Sequence, residues 1–274
     1  MDRVVLETNG WRANFSPLGA AILQLVDPTG FNWIAPQPNQ GRHLFGTIAG
    51  PWANRLDANA WGLSANDGQL HLHGGFMGTD LRLWEVLIGA KNSVTFGLDW
   101  PEGDEGYPKI DLRVTYNLFE GKLEWIINAK AARPFPMNPV NHAYWNLGAP
   151  TIDEHQLKIN AHTMYAPGAD GMTAPPELPA NFNEYEALSG TWDHTFFLRT
   201  ESMKLQREAA ILRYQHRQMM VFTTCPTIHL YSGQFLPQPR SGVCLECGLP
   251  PGRWGLGEPT QSVEFRTFHL FLFL

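Results

Sequence analysis

Cysteine is scarce in this chain: Cys225, Cys244 and Cys247 are the only three among 274 residues. An odd count without a secretion signal argues for reduced thiols rather than a disulfide framework. One Cys-x-x-Cys pair supplies only half of a usual structural zinc site, so all three read as small buried hydrophobes. Long apolar runs are also missing. Nothing approaches the roughly 18 consecutive apolar residues of a membrane span, the closing run from Val263 to Leu274 included. Met1 to Gly10 lacks the apolar stretch of a signal peptide. The expectations are no membrane partner and a cytoplasmic address. Charge is sparse, with 17% of residues charged and a net charge of -6. Since no cluster of Lys or Arg runs along any segment, the electrostatic footprint of a nucleic-acid partner is missing as well.

What is abundant is material for strands and turns. The chain holds 26 Gly, 21 Pro, 16 Phe and 10 Trp, with hydrophobic residues at 43%, a mixture that favours β-structure over helix. Ile110, Leu112, Val114, Tyr116 and Leu118 alternate with polar residues, a period of two that predicts a strand with one wet face. After the turn at Glu120-Gly121-Lys122, Leu123, Trp125 and Ile127 continue the alternation on an antiparallel partner. Val94, Phe96, Leu98 and Trp100 precede them as a further strand of a meander. Trp11 to Phe15 and Ile22 to Val26 form an opening hairpin, and Pro167 to Pro179 reads as a loop rich in Gly, Pro and Ala. No linker, repeat or composition break appears. One domain over residues 1–274, as a monomer or homodimer, is the economical expectation.

Three stretches carry the chemistry. Asn141-His142-Ala143-Tyr144-Trp145-Asn146-Leu147 packs amides, an imidazole and aromatic rings into one short segment, more hydrogen-bonding and stacking capacity than a core strand needs. In Leu72-His73-Gly74-Gly75 the two glycines suggest a sharp break that leaves His73 at a rim. If the strand instead ran on, His71 and His73 would share a face and could hold a metal. The third feature is a late carboxylate, Glu246. Tyr144, Trp145 and Trp52 could stack on the apolar face of a pyranose, while Asn54, Asn141 and Asp193 could read its hydroxyls and Arg55 could reach a ligand.

These stretches, with Ala53-Asn54-Arg55, Glu105-Gly106-Tyr107-Pro108 and Asp193-His194, occur in an order that resembles the aldose 1-epimerase family over nearly the whole chain. The resemblance implies an all-β fold, a large antiparallel β-sandwich of the galactose mutarotase type, and interconversion of the α and β anomers of a free aldose. It implies His142 as general acid on the ring oxygen, Glu246 as general base on the C1 hydroxyl, and His73 as a second active-site histidine. Arg55 and Asp193 match the family's hydroxyl-binding residues. Ring opening needs only a proton donor and a proton acceptor, so no cofactor and no metal are expected, and a small aldose is the expected partner. The pattern departs from the family after Glu246, where Cys247-Gly248-Leu249-Pro250-Pro251-Gly252-Arg253-Trp254 replaces the usual Gln and Pro-Asp-Ala-x-Asn segment. Competing readings are a noncatalytic carbohydrate-binding protein, a metal enzyme using His71, His73, His142 and Glu246, and an epimerase of a phosphorylated sugar.

Overall fold

Alternation of apolar and polar residues builds two large antiparallel sheets. The computed structural model describes residues 3–37, 44–199, 207–251 and 257–274. The larger sheet has nine strands and is centred on the predicted hairpin. Ile110–Phe119 pairs with Lys122–Pro136 in a register that sets Leu118 opposite Leu123, Tyr116 opposite Trp125 and Val114 opposite Ile127. All six are buried, so the dry face of each strand is the one its period-two pattern marks. Ser93–Trp100 and Glu85–Ala90 extend the sheet on one side. Pro259–Phe273, Arg217–Thr223, Arg207–Tyr214, Gln156–Ile159 and Glu186–Ala187 extend it on the other.

The second sheet carries six strands in the order Tyr144–Trp145, Val243–Gly248, Thr227–Tyr231, Asp193–Leu198, Ala161–Pro167 and Thr173–Pro179. Its inner face packs on the nine-stranded sheet. The Trp145 ring lies 4.6 Å from His269 and 5.7 Å from Phe271, both on Pro259–Phe273. Cys247, on the Val243–Gly248 strand, belongs to the same buried core. The opening hairpin forms as expected, Trp11–Ser16 against Ala21–Val26, with Val4–Thr8 added as a third strand. A continuous apolar core extends from Leu6 to Phe271 through both large sheets. Among the described residues, no helix is long and apolar enough to cross a membrane.

One expectation fails in this region. Pro167 to Pro179 is not a loop throughout: Thr173–Pro179 is a strand that, among the described residues, pairs with Ala161–Pro167 alone, at the border of the six-stranded sheet. Pro lacks the N–H a ladder needs on both sides, but an edge strand bonds on one side only and tolerates it. The proline-rich composition therefore hid a strand that its edge position permits.

Candidate active site

Across antiparallel ladders, paired residues point to the same face, so strand register decides which side chains meet. Thr195 pairs with His229 and His229 pairs with Glu246. One step along, Asp193 pairs with Tyr231, Tyr231 with Cys244, and Cys244 with Tyr144. These two rows form the outer face of the six-stranded sheet. The intervening Val243, Leu245 and Cys247 point into the sandwich and join its core.

His142 enters over this face from the segment between Val140–Asn141 and Tyr144–Trp145. Its backbone is fixed on both sides: the N–H donates to the Thr47 carbonyl at 2.9 Å, and the carbonyl accepts from Gly46 N–H at 3.0 Å. The ring then lies between Glu246 and Cys244. Nε2 is 3.3 Å from Glu246 Oε1, and Nδ1 is 3.4 Å from Cys244 Sγ. The His142 and Glu246 side chains are only 4% and 3% exposed, so little water competes with their contact. Burial holds the Cys244 thiol well above its usual pKa, helped by the nearby Glu246 charge. It stays protonated, and its contact with Nδ1 holds the ring with Nε2 facing the carboxylate.

His73 approaches from the opposite wall, its ring 5.5 Å from that of His142 and edge-on to it. The strand ends at Leu72 because His73 adopts φ +49° and Gly74 and Gly75 follow at +79° and +89°. A Cβ on Gly74 would meet the Gly50 carbonyl oxygen at 1.8 Å, so only glycine fits there. Asn54 N–H donates to His73 Nδ1 at 3.2 Å. A backbone N–H can only donate, so Nδ1 is the unprotonated nitrogen and the neutral ring carries its proton on Nε2.

Asp193 and His229 close another side of the cavity, with Oδ1 to Nε2 at 2.8 Å. Burial alone would raise the Asp193 carboxyl, but the hydrogen bond and charge of His229, with Arg55 and His194, hold it below its ordinary pKa. Burial alone would likewise lower the His229 imidazole. The Asp193 bond and charge and the Glu246 charge outweigh it and raise the ring above its ordinary value. His229 Nδ1 meets Thr195 Oγ1 at 3.0 Å, and the Asn54 carboxamide nitrogen lies 3.2 Å from its Nε2. Arg55 donates Nε–H to Asp67 at 2.7 Å and Nη1–H to the Gly171 carbonyl at 3.3 Å. Together these groups, with Tyr144, Tyr231, Leu72 and Leu236, enclose a cavity of about 240 Å³.

The structure thus brings Glu246, His142, His73, Arg55, Asp193 and Asn54 to one cavity and leaves three expected residues, Trp145, Asn141 and Trp52, out. Trp145 faces the sandwich because it follows Tyr144 on a strand; Tyr144 takes the cavity side and Trp145 the core side, 1% exposed. Asn141 is a backbone clamp. Its carboxamide nitrogen bonds Gly46 O at 3.3 Å and Tyr116 Oη at 3.0 Å, while its oxygen accepts Ala143 N–H at 3.1 Å. Trp52 is also core, 1% exposed. His71 and His73 do not share a face: His71 is fully buried behind the cavity, bonded to Tyr107 Oη at 2.9 Å and the Ser64 carbonyl at 2.7 Å. The proposed four-residue metal set is therefore not assembled. His142, Cys244 and Glu246 do present ligand atoms within 4.8 Å of one another.

His229 and Tyr231 are not singled out by the sequence reading, and Cys244 reads there only as a small buried hydrophobe. The signal for the first two lies in the alternation of Thr227, His229 and Tyr231 with Ile228 and Leu230, which marks a polar face opposite an apolar one. Of the unusual segment after Glu246, residues 252–254 lie outside the described residues.

Comparison with known proteins agrees with this geometry. The profile described as aldose 1-epimerase matches residues 2–261. Galactose mutarotase of Sus scrofa is 32% identical over 244 residues, covering 76% of this chain and 70% of that protein. Aldose 1-epimerase of Escherichia coli K12 is 28% identical over 233 residues, covering 74% and 67%. Among solved structures, the aldose epimerase homologue from C. elegans superposes with TM-score 0.87 at 21% identity, covering 100% of this chain and 99% of that one. Galactose 1-epimerase from Lactobacillus acidophilus gives TM-score 0.87 at 23% identity, covering 98% and 93%. The two structures show that the mutarotase sandwich is shared, and the profile match across the chain places this protein in the aldose 1-epimerase family.

Proposed function

We propose that the protein interconverts the α and β anomers of a free aldose, with Glu246 and His142 as the proton-transfer pair. The Glu246 carboxylate takes the proton of the C1 hydroxyl while His142 Nε2 gives one to the ring oxygen. The C1–O5 bond breaks as the C1=O bond forms, leaving an open-chain aldehyde. Rotation about C1–C2 presents the other face of the carbonyl; O5 adds back, returning its proton to His142, and the new C1 oxygen recovers its proton from Glu246. The protons balance over one turnover. His73, with its proton on Nε2, donates a hydrogen bond to the oxygen on which charge develops. Arg55, Asp193 and Asn54 bind the remaining hydroxyls.

The observation that carries this reading is the 3.3 Å approach of two nearly fully buried groups, His142 and Glu246, within one cavity. A positioned acid or base contributes roughly a hundredfold to ten-thousandfold in rate. Glu246→Gln and His142→Ala are each expected to slow the optical-rotation change of fresh α-glucose or α-galactose by at least about a hundredfold, with circular dichroism unchanged. A wild-type rate in either folded variant would refute the assignment. Sugar binding without accelerated exchange in the wild type would favour a carbohydrate-binding role instead. The buried free thiols support a reducing, cytoplasmic setting, and the continuous core supports a single domain.

A further inference from the structure

The strand Val243–Gly248 carries Cys244 and Glu246 two residues apart, so both point to the outer face of the six-stranded sheet, and the His142 ring lies over them. Among the described residues, His142, Cys244 and Glu246 are the one trio of metal-ligating types whose ligand atoms all lie within 4.8 Å of one another. All three are buried, Cys244 completely. The other two thiols stand apart: Cys225 and Cys247 belong to the apolar core of the sandwich. Proton transfer to and from a sugar uses the imidazole and the carboxylate, and it leaves the sulfur beside them without a chemical part.

Sulfur, imidazole nitrogen and carboxylate oxygen together are the donor set of a borderline-soft divalent ion. Zinc holds thiolate sulfur at about 2.3 Å and imidazole nitrogen at about 2.0–2.1 Å, so across a tetrahedral angle the two donors stand roughly 3.5 Å apart. Cys244 Sγ and His142 Nδ1 are 3.4 Å apart, already at that separation. A Glu246 oxygen, at most 4.8 Å from either donor, closes the remainder by turning about its own side-chain torsions. His142 and Glu246 line the cavity, which gives an ion its way in and leaves a fourth coordination position for water. Mg²⁺ and Ca²⁺ prefer oxygen ligands throughout and are poorly served by a sulfur.

We infer that Cys244, His142 and Glu246 form an inhibitory site for divalent ions of the zinc class. The ion itself deprotonates a coordinating thiol, so binding sends the Cys244 proton to solvent and takes up the lone pair of His142 Nδ1. It also occupies the Glu246 carboxylate. The base and the acid of anomer exchange are then withdrawn together, and a chelator that removes the ion restores both. The inhibition rests on the epimerase reading of the cavity; the binding of the ion does not.

Cd²⁺ and Zn²⁺ are the probes, added to the full chain after treatment with a chelator. Cd²⁺ titration of the wild type is expected to develop the ultraviolet cadmium–thiolate charge-transfer absorption and to saturate at a single ion per chain, and Cys244→Ser to lose that absorption. His142→Ala and Glu246→Gln, each short of one ligand, should bind Zn²⁺ at least about tenfold more weakly by calorimetry. Saturating Zn²⁺ should slow the optical-rotation change of fresh α-glucose at least about a hundredfold in the wild type, the worth of one positioned acid or base, and the same concentration of Mg²⁺ should not. The site is overturned if folded Cys244→Ser keeps the absorption, if both ligand variants bind Zn²⁺ as the wild type does, or if Mg²⁺ inhibits equally. Undiminished exchange with Zn²⁺ bound would overturn the inhibition. Absent exchange in the metal-free wild type would refute the epimerase reading instead, and the absorption and calorimetry would then decide the site alone.

Discussion

Replacing His229 with alanine strands the Asp193 carboxylate, and the size of the effect follows from the geometry. The pair meets at 2.8 Å with side chains 13% and 21% exposed. Two unit charges about 4 Å apart attract by roughly 4 kcal/mol at an effective dielectric of 20, and desolvation of both groups offsets much of that. Leaving one charge of a buried pair behind costs about 3–5 kcal/mol; residual exposure and the positive Arg55 nearby reduce it here, so about 2 kcal/mol is expected near pH 6. The pH dependence has a definite sign. His229 is raised, so its contribution is complete below its ordinary value of 6.5 and is lost as pH climbs through the raised folded value. Asp193 is lowered, so its contribution is present above 3.8 and disappears only as pH falls through the lower folded value. Urea unfolding of wild type and His229→Ala should therefore show a stability gap that is wide at pH 6 and narrows toward pH 9. A gap that stays constant across that range would mean His229 is neutral in the folded protein, and the ion-pair account would fail.

Three further outcomes test other parts of the site. Cys244→Ala removes the sulfur that orients the His142 ring and should lower kcat about tenfold with little change in KM; unchanged kcat by polarimetry would assign the thiol to packing alone. Gly74→Ala forces a Cβ onto the Gly50 carbonyl and should cost about 2–4 kcal/mol in denaturant unfolding, whereas a loss under about 0.5 kcal/mol would show that the His73 turn relaxes freely. Trp145→Ala should destabilise by about 3–5 kcal/mol while the folded fraction keeps its KM; a raised KM would return Trp145 to the sugar site.

The strands were legible where one face is dry and the other wet, as in Ile110–Phe119 against Lys122–Pro136, because alternation and burial report the same thing. Thr173–Pro179 was hidden by its prolines, which weigh against a strand unless its place at a sheet border is known. Within the site, chemistry-bearing residue types were legible and their facing was not. Tyr144 and Trp145 are equally aromatic, and only pairing with Val243–Gly248 decides which of them meets the cavity. Asn141 illustrates the same limit: a carboxamide beside a catalytic histidine reads as a ligand group, yet its bonds to Gly46, Tyr116 and Ala143 show that it shapes the backbone carrying His142. His229 escaped because its role comes from partners 36 and 175 residues away, Asp193 and Asn54, and a period-two pattern names no partner.

Asn54 and His73 explain why the cavity wall can be rigid although loops build it. Neither is glycine, yet both adopt left-handed backbone, at φ +62° and +49°. Such conformations cost about 1–3 kcal/mol each and persist only where surrounding bonds determine them. Here the bonds are reciprocal. His73 N–H donates to the Asn54 carbonyl at 3.2 Å, and Asn54 N–H donates to His73 Nδ1 at 3.2 Å. The Asn54 side-chain oxygen also accepts from Arg55 N–H at 2.8 Å, and its nitrogen reaches His229. One two-residue clasp therefore sets the His73 tautomer, the start of the Arg55–Asp57 strand and the approach to the Asp193–His229 pair. Strain held in this way keeps the donors in place before a sugar arrives, so their reorganisation adds little to the barrier.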